Sequence, residues 1–106
     1  MLDVREYIDS AGRSPFTKWL RALNAQAAAK VATALERIAD SNLSNTKTVG
    51  NGVLEYKVDF GPGYRIYYQQ RGDLIVLLLC GGDKSTRDRD IRAAKQIAVQ
   101  WSDSDG

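Results

Sequence analysis

The period of the hydrophobic positions changes several times along the chain, and each change marks an element. Residues 2–8 alternate, with Leu2, Val4 and Ile8 on one side and Asp3, Arg5 and Tyr7 on the other. This predicts a strand in which only Glu6 is out of place. Ala11-Gly12-Arg13 is a connection. Ser14-Pro15 then starts a helix, the serine as cap and the proline at the first helical position. Phe16, Trp19, Leu20 and Leu23 follow at i, i+3, i+4 and i+7, the apolar stripe of a short helix that Asn24 ends or interrupts. Ala28, Val31, Ala32, Leu35, Ile38 and Ala39 form a second stripe, so residues 25–40 predict a longer helix paired with the first as a helical hairpin.

Residues 42–52, rich in Asn, Ser, Thr and Gly, predict a loop. A clean alternation follows. Leu54, Tyr56, Val58 and Phe60 face one way, and Val53, Glu55, Lys57 and Asp59 the other. Gly61-Pro62-Gly63 makes a tight connection, after which Tyr64, Ile66 and Tyr68 alternate against Arg65, Tyr67 and Gln69. Arg71-Gly72-Asp73 is the next turn. Leu74 to Cys80 is apolar throughout, as in a central strand covered on both faces. Gly81-Gly82-Asp83-Lys84 is a loop, and Ser85-x-x-Asp88 has capping-box form before a helix whose stripe is Ile91, Ala94, Ala98 and Trp101. The order β-α-α-β-β-β-α argues an α+β fold with a mostly antiparallel sheet, the helical hairpin on one face and a C-terminal helix.

The polar side of the strands at 53–70 carries the first candidate chemistry. If Phe60 and Tyr64 close the hairpin, Asp59 faces Arg65, Lys57 faces Tyr67 and Glu55 faces Gln69. All six then leave the same side of the sheet, while the aromatic and aliphatic set packs under the helices. A slip of one residue would bury Arg65 and is disfavoured. The plain alternative is a solvated face with weak cross-strand ion pairs.

Length and composition narrow the functions. With 106 residues the chain holds one domain, expected at 1–101, followed by a frayed acidic tail at 102–106. The longest apolar run, Leu74 to Cys80, is seven residues, far below the roughly 20 needed to span a bilayer. The N-terminus is charged from Asp3 onward, unlike a secretory signal. A single cysteine excludes an internal disulfide and fits a reducing, cytoplasmic setting. Histidine is absent, which removes Ser-His-Asp and Cys-His catalysis and every histidine-containing zinc site. A metal would have to bind through carboxylates, and no cofactor is expected. The net charge is +2, and residues 1–101 carry 15 basic and 11 acidic groups, a surface that permits a polyanionic partner.

Lys84, Arg87, Arg89, Arg92 and Lys95 follow the last strand. Arg87 and Lys95 share a face with Arg92 beside them, and Asp88 is spaced to pair with Arg92. Arg89 and Lys95 read as ordinary helix surface. Lys84 stands next to Gly81-Gly82, where a backbone can approach a ligand closely. Cys80 reads as inert core, and Trp19 and Trp101 as packing anchors. Gly81 to Thr86 lacks the spacing of a phosphate-binding Walker loop.

The stretch from Val53 to Tyr68 resembles the central hairpin of the RelE/ParE toxin superfamily, and Leu77 to Ile91 resembles its following strand, loop and helix start. With Ser14-Pro15-Phe16-x-x-Trp19-Leu20, the similarity is to the HigB-like "addiction module killer protein" branch and covers about residues 2–101. The resemblance implies a type II toxin whose partner is a cognate antitoxin, with assembly through that antitoxin. It also implies metal-independent cleavage of mRNA on the ribosome, inhibiting translation. By the same resemblance Arg65 matches the arginine on the scissile phosphate, Lys57 a basic residue on the facing strand, and Lys84 or Arg87 the basic residue after the last strand. Two positions depart from the pattern. Asp59 stands where a second lysine is common, and the last helix has no tyrosine.

An RNase of this kind needs a proton acceptor at the 2′-oxygen, cations at the phosphorane and a donor for the leaving oxygen. Arg65 is the expected phosphate clamp and Lys84 or Arg87 the cation or donor. Glu55, Asp59 or a pKa-lowered Lys57 is the expected base. Tyr67 and Arg92 are expected to hold substrate, Tyr67 by stacking on a base or by holding a proton. Two alternatives share the scaffold: a ParE-like toxin that poisons gyrase, and an inactive antitoxin-binding protein.

Overall fold

The computed structural model describes residues 2–42, 44–72 and 75–105, with side chains up to Gln100 apart from residue 75. The expectations for Leu74, for the Trp101 side chain and for the 102–106 tail lie outside the described side chains. Among the described residues the elements are β1 (Asp3–Glu6), α1 (Pro15–Arg21), α2 (Ala25–Ala39), β2 (Thr46–Gly50), β3 (Val53–Val58), β4 (Tyr64–Arg71), β5 (Ile75–Gly82), a 3-10 turn (Lys84–Thr86) and α3 (Arg87–Asp105). The fold is α+β, with one five-stranded sheet in the order β1-β5-β4-β3-β2.

Three of the four strand pairings are antiparallel, and β1 runs parallel to β5. That parallel pairing requires a long crossover, which the helices and the other strands supply. β2 corrects the expected loop at 42–52. Its Thr46-Lys47-Thr48-Val49 run is short and polar because it is an edge strand with one flank in solvent. It reaches β3 through Asn51-Gly52, both at positive φ (57° and 74°), the geometry of a two-residue hairpin turn.

Helix starts follow from local chemistry. Ser14 Oγ accepts from the Thr17 amide at 3.1 Å with Pro15 at the first turn. Asn24 does not merely end α1; it caps α2, its Oδ1 accepting from the Ala27 amide at 2.8 Å. The buried stripe of α2 is Ala27, Val31, Ala34, Ile38 and Ala39, with Ala27 and Ala34 buried in place of the expected Ala28 and Ala32. Alanines surround this helix and define no face on their own; packing against the sheet selects one. The last helix is introduced by Asp83, not Ser85. Its carboxylate accepts from the Ser85 amide at 2.8 Å, and its own amide donates to Thr86 Oγ1 at 3.2 Å.

The sheet is buried on both faces. Under α1 and α2 lie Tyr56, Val58, Ile66, Tyr68, Val76 and Leu78. Under α3 lie Val53, Tyr67, Leu77, Leu79 and Cys80, with Ala94 and Ala98 from the helix. β5 is thus the interior, two-sided strand its unbroken apolar run predicts. A register shift between Tyr67 and Tyr68 against β5 leaves Leu79 without a partner and turns both Leu79 and Cys80 toward α3. Each fully buried side chain of this size contributes about 1.5–3 kcal/mol.

Gly81 and Gly82 have packing roles. A β-carbon on Gly81 would run into the Trp19 ring, and one on Gly82 into the Asp90 carboxylate. The close approach here is to the protein's own side chains, not to a ligand. Trp19 stacks on this point with Phe16 and Tyr64, at ring distances of 5.6 and 6.2 Å.

Candidate functional site

The β3–β4 hairpin differs from the expected register by two residues. Val58 pairs with Tyr64, Lys57 with Arg65 and Glu55 with Tyr67, leaving residues 59–63 as a five-residue connection. Phe60 causes the difference. It leaves the ladder to pack on the α1/α2 core, and the Lys30 ammonium sits 5.4 Å from its ring centre. A shift of two keeps every side chain on its expected face, so Glu55, Lys57, Arg65 and Tyr67 still emerge together.

What that face meets is not solvent. α3 lies across it and buries Glu55, Tyr67 and most of Arg65. Glu55 is the centre of a polar cluster. It accepts from Tyr67 Oη at 3.0 Å and from Arg87 Nε at 2.9 Å, with Lys47 Nζ at 3.8 Å and Arg65 Nε at 3.9 Å. Its oxygens are occupied, so it is placed as a structural anion and not as the proton acceptor that sequence alone allowed. Tyr67 has no exposed surface and cannot stack on a base. Burial, then its hydrogen bond to Glu55, pushes its hydroxyl pKa well above the usual phenol value.

Arg65 stands at the boundary between this cluster and the outside. Its side chain is 9% exposed. Nη1 donates to the Gly63 carbonyl at 2.8 Å, while Nε is buried with no hydrogen-bond partner. That nitrogen faces Glu55 Oε2 at 3.9 Å, so the inner edge of the guanidinium is held by an ion pair. Arg65 forms the floor of a cleft of about 440 Å³ walled by Lys57, Asp59, the Gly61-Pro62-Gly63 turn and Lys84. Lys57 is half exposed and 3.4 Å from Asp59, whose carboxylate is the acidic group on this cleft's wall among the described residues.

Four of the expected site residues therefore converge: Lys57, Asp59, Arg65 and Lys84. Arg87 is adjacent but committed to Glu55. Arg92 is exposed on α3 and lines none of the clefts around Arg65. Among the described residues no ion pair joins it to Asp88. Cys80 is buried, and desolvation pushes its thiol up to about 12, as an inert core residue requires. Sequence reading missed Lys47, which β2 places opposite Glu55. The signal was the Asn51-Gly52 turn ahead of an alternating strand. It also missed Asp90, buried on α3 against Thr86 and Gly82.

The family model "Phage derived protein Gp49-like (DUF891)" matches residues 18–101. The chain belongs to this Gp49-like family. The family is a toxin family of toxin–antitoxin systems within the addiction-module killer/RelE-like group, so a cognate antitoxin is the implied partner. A Haemophilus influenzae (strain Rd) relative bearing the name "Uncharacterized protein" is 43% identical over 86 residues, 80% of this chain and 87% of that protein. Among the described residues of this Gp49-like protein, no helix is long and apolar enough to cross a membrane.

Proposed function

We propose that this Gp49-like toxin is an mRNA endoribonuclease of the HigB-like type, acting on the translating ribosome. The observation that carries the reading is the pairing of Lys57 directly opposite Arg65. Like charges facing each other across a ladder are destabilising. Here they open onto one cleft with Lys84, with Asp59 and the buried Glu55 beside them. A phosphate completes this arrangement.

The reaction that fits is attack of a ribose 2′-oxygen on the adjacent phosphorus. The 2′-O–P bond forms, the P–O5′ bond breaks, and the products are a 2′,3′-cyclic phosphate and a free 5′-hydroxyl. Asp59 takes the 2′-hydroxyl proton, since Glu55 is saturated. Arg65 offers its remaining Nη donors to the non-bridging oxygens as a fork. Lys57 adds charge at the phosphorane, and Lys84 donates the proton to the departing 5′-oxygen.

The test is brief induction in cells followed by mapping of transcript 5′ ends. The parent should produce new ends inside translated frames. Arg65→Lys keeps the charge but loses the fork and should reduce them at least about 10²-fold, with Lys84→Ala close behind. Intact transcripts together with a DNA-damage response would replace this reading with gyrase poisoning. Undiminished cleavage by Arg65→Lys and Lys84→Ala would remove the cleft from the mechanism.

A further inference from the structure

Arg65 lines not one cleft but three. On one side of the central cleft is a second, of about 240 Å³, formed by Asn45, Thr46, Lys47, Glu55 and Lys57. On the other side is a third, of about 310 Å³, formed by Lys84, Ser85, Thr86, Arg87, Asp88 and Arg89. Lys57 is shared by the first pair and Lys84 by the second pair. The shared walls fix a linear order of cations: Lys47, Lys57, Arg65, Lys84, Arg89. The sheet explains it. Lys47 is on β2, Lys57 on β3 and Arg65 on β4, with Arg65 paired to Gly82 at the end of β5 just before Lys84. Lys57 and Arg65 are directly opposite each other, Lys47 is displaced by one pair along β3 because it faces Glu55, and Lys84 and Arg89 continue the row from the 3-10 turn and α3.

Resting on the ribonuclease reading for the nature of the strand, we propose that these clefts form a three-phosphate track for single-stranded RNA. The scissile phosphate sits on Arg65. One flanking phosphate sits at Lys47 and the other at Arg89. Both flanking cations are free to engage: Lys47 is 64% exposed and Arg89 72% exposed, each with only a long ion-pair contact, 3.8 Å to Glu55 and 3.6 Å to Asp90. Arg65, which lines all three clefts, marks the middle position. One compact anion would use a single cleft; a row of cations sharing walls suits a chain of phosphates. Tyr67 is buried and cannot reach the track, so most of the track's contacts are cations to backbone phosphates, which carry no sequence information.

The test uses the full chain and 2′-O-methyl RNA oligonucleotides, which cannot be cut, of two, four and six nucleotides, followed by fluorescence anisotropy across a salt series. Affinity should rise from two to four nucleotides and then level. Lys47→Ala and Arg89→Ala should each lower the log-log salt slope by about 0.7 with the tetranucleotide, the single-strand value for one lost phosphate contact. Each should weaken that oligonucleotide severalfold and leave the dinucleotide unchanged. Arg5→Ala, a cation on β1 at the far edge of the sheet, should behave as the parent. Parent-like slopes for both flanking variants would overturn the track, as would failure of the parent to bind. Those outcomes leave transcript cleavage standing if the end mapping shows it. Binding as described without any cleavage in cells would instead keep the track and refute the ribonuclease reading.

Discussion

Arg87, at the first position of α3, reaches across 32 residues of sequence to Glu55 on β3, its Nε 2.9 Å from Oε2. Tyr67 closes the same carboxylate from β4, at 3.0 Å. One buried anion thereby ties the start of the last helix to two strands and holds the floor on which Arg65 rests.

Removing that anion should be felt throughout the site. Glu55→Ala leaves Arg65 without its buried counter-charge and Tyr67 without an acceptor. Breaking a buried pair from one side costs about 3–5 kcal/mol; with Arg87 partly in solvent, about 2–3 kcal/mol is expected. The urea midpoint should fall accordingly. Arg87→Ala, whose partner keeps Tyr67 and Lys47, should cost less.

The two glycines after β5 should not tolerate even a methyl group. Gly82→Ala drives a β-carbon into Asp90 and Thr86, and Gly81→Ala drives one into Trp19. Overpacking of this kind costs about 1–3 kcal/mol. Both variants should melt lower than the parent, whereas Gly12→Ala, which has open space but a φ of +79°, should suffer only the backbone penalty.

Stability should decline on the alkaline side. The Cys80 thiol, ordinarily near 9, is pushed up to about 12 by burial, and Tyr67 is raised from the usual phenol value by the same cause. Above pH 9 the unfolded chain releases the Cys80 proton while the folded chain retains it. Unfolding is therefore increasingly favoured as pH rises from about 9 to 12, at up to about 1.4 kcal/mol per unit for Cys80. Urea midpoints at pH 8, 9.5 and 10.5 should fall in that order. Cys80→Ala should start lower, because of its cavity, but decline less steeply. At pH 8 the folded protein should resist alkylation by iodoacetamide.

Asp59 separates chemistry from binding. It is the acidic wall of the central cleft and sits 3.4 Å from Lys57. As the proton acceptor, its loss in Asp59→Asn should lower cleavage by about 10²–10⁴-fold. Removing a negative charge from a phosphate site should at the same time hold or tighten oligonucleotide binding. Weaker binding with full cleavage would assign Asp59 a positioning part only.

Periodicity alone determined much of this protein. It set the helical hairpin with its Ser14-Pro15 start, the two-sided apolar strand, and the division of the 53–70 hairpin into an apolar and a polar side. That division survives because strands alternate with a period of two, so an even slip leaves each side chain on its face. The register itself was decided by Phe60, which gains more by packing on the core than by extending the ladder. The position of β2 was likewise beyond the polar loop-like composition of residues 42–52, since an edge strand needs only one partner. Above all, tertiary structure decided the fate of the polar face. No local pattern says that α3 will lie across it, because that depends on Glu55, Tyr67 and Arg87 meeting from separate elements. Their meeting turns a face that reads as solvated into a buried charge cluster, with Arg65 at its rim where the cleft begins.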